Sequence, residues 1–163
     1  MAVDAPMRKR DPAERFWEKV DRSGDHWLWL GTTAASGGYG TFYRGDGKYV
    51  SAHRYAWELE RGAIPPGQTL DHRADCPKHC CNPAHLRLAS HKQNTENHVG
   101  ARANSRSGVR GVYWDKTKRK WLAQVTNNRK VVYSKLFTEL ADAEAAVIAA
   151  RNQFHTHNDL DRQ

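Results

Sequence analysis

The segment from Thr69 to His98, TLDHRADCPKHCCNPAHLRLASHKQNTENH, constrains this chain more than any other. An Asp-His pair, Asp71 and His72, follows the apolar Leu70. A cysteine-rich turn comes next, then Asn82-Pro83-Ala84-His85-Leu86, then a polar run with Asn94 and Asn97. Neighbouring residues of an extended strand point to opposite faces. Asp71 and His72 can therefore serve one site only if the strand ends there and the chain turns. Further on, Ser90 reads as the N-cap of a helix and places Asn94 in its first turns.

The residue types in this order suit phosphodiester hydrolysis. That reaction needs a deprotonated nucleophile, charge stabilisation on the phosphate and help for the leaving oxygen. His72 is a candidate general base, because imidazole takes a proton near neutral pH. Asp71 and Asn94 offer hard side-chain oxygens for a divalent cation. An isolated Asp-His pair is a common dipeptide, so the weight rests on the ordered set.

Leu70-Asp71-His72, Cys80-Cys81-Asn82-Pro83-Ala84-His85-Leu86 and Ser90-His91-Lys92-Gln93-Asn94 together resemble the HNH endonuclease motif. The resemblance implies a ββα-metal finger, two strands in a hairpin followed by a helix. It implies a catalytic pair in which His72 is the general base and His85 orients it. It also implies a Mg2+ or Mn2+ ion on Asp71 and Asn94. Asn97 and His98 lie one turn further along nearly the same helix face and stand as alternatives to Asn94.

Upstream, Phe16 to Val20, Trp27 to Gly31, Gly38-Tyr39-Gly40, Ala52-His53-Arg54 and Ile64-Pro65 resemble the N-terminal region of small phage-type HNH proteins. Read from the residues, Trp27 to Leu30 and Tyr39 to Tyr43 are aromatic-rich strands. Lys48 to Val50 adds a third after the Asp46-Gly47 turn. Ser51 caps a helix from Ala52 to about Arg61, with Tyr55, Ala56 and Leu59 as its buried stripe, and Gly62 stops it. The Trp and Tyr residues here read as core rather than DNA contacts. His53 reads as a satisfied structural histidine, with a phosphate contact as the alternative.

The chain has three cysteines, Cys76, Cys80 and Cys81. An odd count without a signal peptide or an apolar run of membrane length points to a reducing cytosol, the host cytoplasm for a phage protein. A structural Zn2+ is one reading of the cysteines. It would use Cys76, either Cys80 or Cys81, and one or two of His79, His85 and His91. Small buried thiols packing the turn are the other.

Charge gives an independent line. Between Val99 and Lys135 ten basic residues face one acid, Asp115, a local charge of +9 in a chain whose total is +8. Interleaved with Tyr113, Trp114, Trp121 and Gln124, that concentration reads as a nucleic-acid surface. The pattern there is β. Strands are expected over Val109 to Trp114, Lys120 to Thr126 and Lys130 to Phe137, with a tight turn at Asn127-Asn128. Thr138 then caps an Ala-rich helix from Glu139 to about Phe154, with Leu140, Ala143, Val147, Ala150 and Phe154 as its stripe. Ser107 to Trp114, Lys120 to Val125 and Leu136-Phe137 resemble the ethylene-response-factor type of DNA-binding domain. That family reads DNA with Arg and Trp side chains from its sheet. The candidate DNA contacts are Arg110, Trp114, Lys116, Lys118, Arg119, Gln124, Arg129 and Lys130; Trp121 matches a further family position, which is partly core in some members.

The expected class is α+β. A small antiparallel sheet plus helix leads into the ββα-metal finger, and a three-stranded antiparallel sheet packed on one helix follows. The expected division is a mobile tail over 1–12, a nuclease domain over 13–103 with its ββα core at about 68–100, a linker over 104–107, a DNA-binding domain over 108–155 and a polar tail over 156–163. The function expected is a homing-type endonuclease on double-stranded DNA, with no membrane partner and a monomer favoured. A catalytically silent DNA-binding regulator is the alternative. An RNA-binding or zinc-dependent structural protein is the third reading.

Overall fold

The computed structural model describes residues 10–35, 37–73, 75–97 and 100–162. The fold is α+β, as expected, and divides into two compact units, Met1–Leu88 and Ala89–Gln163. That division falls earlier than the 104–107 segment that reads as a linker. Residues 1–9 of the N-terminal tail, and the alternative ligand His98, lie outside the described residues.

The first unit is organised around an aromatic core. Helix α1 (Pro12–Trp17) starts at Asp11, whose carboxylate accepts from the Ala13 amide at 2.8 Å, with Pro12 in the first turn where its missing N–H costs nothing. It delivers the fully buried Phe16. That ring stacks on Trp29 at 5.2 Å and meets the edges of Trp17, Phe42 and Tyr55. Two short antiparallel pairs surround it: β1 (Val20–Asp21) with β2 (Leu28–Trp29), and β3 (Thr41–Tyr43) with β4 (Tyr49–Ser51). The expected strands are present but shorter than their aromatic runs.

Helix α2 spans Ala52–Arg61, and Gly62 ends it at φ 84°, a left-handed position that favours glycine. Two details differ from the sequence reading. Ser51 occupies the cap position without a side-chain cap bond. Leu59, assigned to the buried stripe, is 38% exposed, while Trp57 is buried. The reason is that α2 is covered on two sides. Ala52, Tyr55 and Ala56 enter the aromatic core, and Trp57 packs with Leu70, Leu86 and Ile64 in a second cluster. One amphipathic stripe does not describe a helix with two buried faces.

After α2 comes β5 (Gln68–His72), which pairs with β6 (Leu86–Ser90), and a short 3-10 helix, Pro83–His85, precedes β6. Asn82 caps that turn by accepting from the Ala84 amide at 2.9 Å. The cysteine loop between the two strands is held from outside the motif. The Trp29 amide donates to the His79 carbonyl at 3.0 Å and the Cys81 amide to the Trp27 carbonyl at 2.7 Å. Cys81 is fully buried in the aromatic core.

The second unit opens with α3 (His91–Glu96). Ser90 caps it as expected. Its hydroxyl accepts from the Gln93 amide and the Gln93 side chain accepts from the Ser90 amide, a reciprocal capping box. The sheet follows, in the order β7 (Val112–Asp115), β8 (Lys120–Asn127), β9 (Lys130–Phe137), all antiparallel. The β8–β9 turn is centred one residue later than expected, with Asn128 and Arg129 at φ 50° and 63°. Helix α4 (Leu140–Phe154) covers one sheet face, and Glu139 rather than Thr138 is its cap residue. Val112, Ala123 and Val125 from the sheet pack with Ala143, Val147 and Ala150 from the helix.

The end of the chain carries structure where the sequence reads as a polar tail. A 3-10 turn, Asp159–Arg162, places the Asp161 carboxylate on the Arg151 guanidinium at 2.5 and 2.8 Å. Asn158 is buried and its amide donates to Asn152. These anchors are polar, so apolar periodicity does not reveal them.

Candidate active site and metal centre

Asp71 and His72 end β5, and Arg73 takes the chain away with its amide on the His85 carbonyl at 3.1 Å. The strand thus ends at His72 and the chain turns, as a site shared by the two residues would need. The His72 ring is half-buried. Its Nε2 lies 3.1 Å from the Cys80 carbonyl. A carbonyl only accepts, so Nε2 carries the proton and Nδ1 is the basic nitrogen of the neutral ring. His53 and Tyr39 wall the imidazole, with ring centroids 5.0 and 5.9 Å away. Burial lowers the His72 pKa, against the Cys80 hydrogen bond and the Asp71 charge, which raise it. His53 is not the satisfied histidine that the sequence suggests. It is buried, its Nδ1 has no hydrogen-bond partner among the described residues, and burial pushes its pKa down to about 3.

Asp71 is 6% exposed, and its Oδ2 accepts from Arg87 Nε at 3.1 Å and Nη2 at 2.9 Å. A cation on this carboxylate would share it with a guanidinium. Asn94 sits on α3, in the second unit.

His85, expected beside the base, turns its ring elsewhere. With His26, Cys76 and Cys80 it forms a cluster whose ligand atoms all lie within 4.8 Å of one another. His85 Nδ1 is 3.1 Å from His26 Nδ1 and 3.8 Å from Cys80 Sγ, and Cys76 Sγ is 3.6 Å from His26 Nδ1. His85 Nε2 lies 3.2 Å from an Asp25 carboxylate oxygen. The hydrogen bond recorded on His72 Nε2 is to the Cys80 carbonyl. His26 was missed by the sequence reading because it lies 50 residues before Cys76. Only its place beside the Trp27 strand marks it, since Leu28 bridges to Cys80. Cys81, His79 and His91 are not in the cluster. Burial pushes the Cys81 thiol up to about 12, in keeping with an inert core residue.

In the second unit the register sorts the candidate DNA contacts. Tyr113, Leu122 and Leu136 share one face, with Gln124 opposite Ser134 on the same face. This is the side away from α4. Trp114 pairs with Trp121, alternates with Val112 and so lies on the helix side, with Arg106 over its ring at 4.9 Å. Lys116, Lys118 and Arg119 are exposed in the β7–β8 turn, where Asp115 accepts from the Thr117 and Lys118 amides. Arg129 is exposed in the next turn and Lys130 at the start of β9. Arg110 donates to the Glu96 and Thr95 carbonyls at 2.8 and 3.2 Å, which ties it to the end of α3.

Residues 50–96 match the HNH endonuclease family model. That span runs from β4 to the end of α3 and includes Asp71, His72, His85 and Asn94. The chain is also 29% identical over 119 residues to Protein 3.8 of Escherichia phage T7, covering 72% of this chain and 91% of that protein. Protein 2.8 of the same phage is 36% identical over 81 residues, 50% of this chain and 53% of its own length. The uncharacterized gene 5.3 protein of Enterobacteria phage T3 is 38% identical over 47 residues, 29% of this chain and 46% of its own. No solved structure matches. Among the described residues no helix is long and apolar enough to cross a membrane.

Proposed function

We propose that this protein is a phage-type, metal-dependent DNA endonuclease that hydrolyses one phosphodiester of double-stranded DNA per active site. The observation that carries the reading is the His72 ring, held through Nε2 on the Cys80 carbonyl at the end of β5, inside the span that matches the nuclease family. In this reading Nδ1 takes the proton from the attacking water, and the walls of His53 and Tyr39 limit the ring to one orientation. Asp71 and Asn94 fit a hard cation by donor type, a buried carboxylate and an amide oxygen. A Mg2+ or Mn2+ ion held there would supply Lewis-acid stabilisation of the phosphate charge. Arg87 would then yield one oxygen of Asp71 or share it.

In this reading the second unit binds DNA through the exposed residues Lys116, Lys118, Arg119, Arg129 and Lys130, with Gln124 on the open face. Phosphate contacts by these residues displace condensed counterions, so affinity should fall steeply with salt. The same reading makes the protein a monomer that acts in the host cytoplasm, of the homing type. One observation favours the silent alternative: the Arg87 pair already occupies Asp71 Oδ2.

Incubation with supercoiled plasmid separates the two. Cleavage with magnesium or manganese that stops in excess chelator supports the nuclease. Salt-dependent DNA binding with no cleavage under any divalent metal would leave the regulator.

A further inference from the structure

We infer that His26, Cys76, Cys80 and His85 form a tetrahedral zinc centre, distinct from the cation on Asp71 and Asn94, and that it holds the carbonyl on which His72 is oriented. The donor set is two sulfurs and two imidazole nitrogens, which selects zinc over a hard cation. A tetrahedral ion with Zn–N near 2.0 Å and Zn–S near 2.3 Å separates its donors by about 3.3–3.8 Å. The measured N–N and N–S separations of 3.1, 3.6 and 3.8 Å lie close to that range.

The hydrogen-bonding chemistry of the cluster points the same way. His85 Nε2 faces the Asp25 carboxylate and must carry a proton to bond to it. Its Nδ1 is then a lone pair, and it points at His26 Nδ1. A carboxylate fixing the tautomer of a histidine whose other nitrogen meets a metal is the usual outer support of such a ligand. A proton on His26 could satisfy that one contact, but it leaves the two sulfurs converging on the same point unexplained. The topology also supplies what a zinc staple needs. His26 comes from the segment before β2, and the other three donors come from the loop between β5 and β6, which otherwise holds few apolar anchors. Cys80 is the link to function. Its Sγ faces the centre and its backbone oxygen accepts from His72 Nε2. The positioning half of this inference rests on the nuclease reading. The zinc half does not.

The test uses the full chain, purified under reducing conditions. Elemental analysis should find one zinc per chain, and cobalt(II) in its place should give the intense visible bands of a tetrahedral site with thiolate ligands. His26→Ala and Cys76→Ser should each lose most of the zinc, while His79→Ala keeps it. A metal-free wild-type chain, a weak octahedral cobalt spectrum, or full zinc in His26→Ala would overturn the site, and the wild-type cobalt spectrum decides even if a variant fails to fold. For the positioning half, nitrogen NMR of the imidazoles should show the His72 Nε2–H form with zinc bound and a tautomer mixture once zinc is stripped. An unchanged His72 tautomer in the stripped protein would refute it. Neither readout depends on cleavage, so a zinc-bound protein that cuts nothing would sink the nuclease reading and leave the centre standing.

Discussion

Gly40 lies against the indole of Trp29, and adding one methyl there should destabilise the first unit. A Cβ on Gly40 would sit 2.5 Å from Trp29 Cδ1, 2.8 Å from Cγ and 2.9 Å from the Ala52 Cβ. Ordinary carbon contacts are about 3.5–4.0 Å, so the ring would have to move by about 1 Å. It has little room to do so. Trp29 is 4% exposed, stacked on Phe16, edge-on to Phe42, and its Nε1 donates to the Thr32 carbonyl at 3.0 Å. Overpacking costs about 1–3 kcal/mol, and a weakened hydrogen bond adds about 1 kcal/mol. Gly40→Ala should therefore cost about 2–4 kcal/mol. With a urea slope near 2 kcal/mol per molar, the midpoint should fall by about 1–2 M. Gly38→Ala is the comparison. Gly38 has φ 72° and nothing near its Cβ, so it carries only the backbone penalty of about 1 kcal/mol. Urea unfolding followed by tryptophan fluorescence measures both. Equal midpoints for the two variants would refute the steric argument. Because β2 also holds the cysteine loop through the Trp29 amide, Gly40→Ala should loosen the Cys80 carbonyl as well.

His72→Ala should lower plasmid cleavage by about two or more orders of magnitude with DNA affinity nearly unchanged; wild-type rates at saturating metal would remove His72 from the mechanism. Burial alone would raise the Asp161 carboxyl, but the Arg151 hydrogen bonds and charge outweigh it and hold the pKa below its ordinary 3.8. That pair therefore stabilises the second unit fully above the ordinary value, and the contribution fades as pH falls through the lower folded value. Asp161→Asn should flatten this part of the acid-unfolding profile, and superimposable profiles would count against it. Arg129 holds φ 63° in the β8–β9 turn, so Arg129→Gly should gain up to about 1 kcal/mol in stability while weakening DNA binding; unchanged or tighter DNA binding would separate Arg129 from DNA contact.

The sequence carried the outline of this architecture through its punctuation. Ser90 with Gln93 three residues later, Gly62 after Arg61, and the alternation in Lys120 to Thr126 each act locally, and each appears in the structure where the pattern puts it. What stayed hidden depends on tertiary contacts. Trp57 is buried because a second cluster forms behind α2, and nothing within α2 announces Leu70 and Leu86. Trp114 faces the helix because the register of β7 turns on Val112, and the pattern alone does not say which face α4 covers. His26 joins Cys76 through long-range backbone contacts, the Leu28–Cys80 bridge and the Trp27 and Trp29 bonds to the cysteine loop. The Asp-His pair reads as a candidate site because its two residues are adjacent in the sequence. The partner of its ring is not legible there, since a backbone carbonyl carries no residue signature.

The order of the sheet has a consequence for the protein in concentrated solution. β9 is an edge strand of eight residues, long enough to template a strand from another molecule. Its exposed residues include Val131, 55% exposed, beside an open face that carries Tyr113. Lys130 and Lys135 are the charges on that edge, and a like-charged neighbour would have to bring its own lysines against them. Lys130, proposed above as a DNA contact, and Lys135 would thus also keep copies of the sheet apart. Replacing both lysines with glutamine should raise turbidity and shift light scattering toward larger species at a protein concentration where the parent chain stays dispersed.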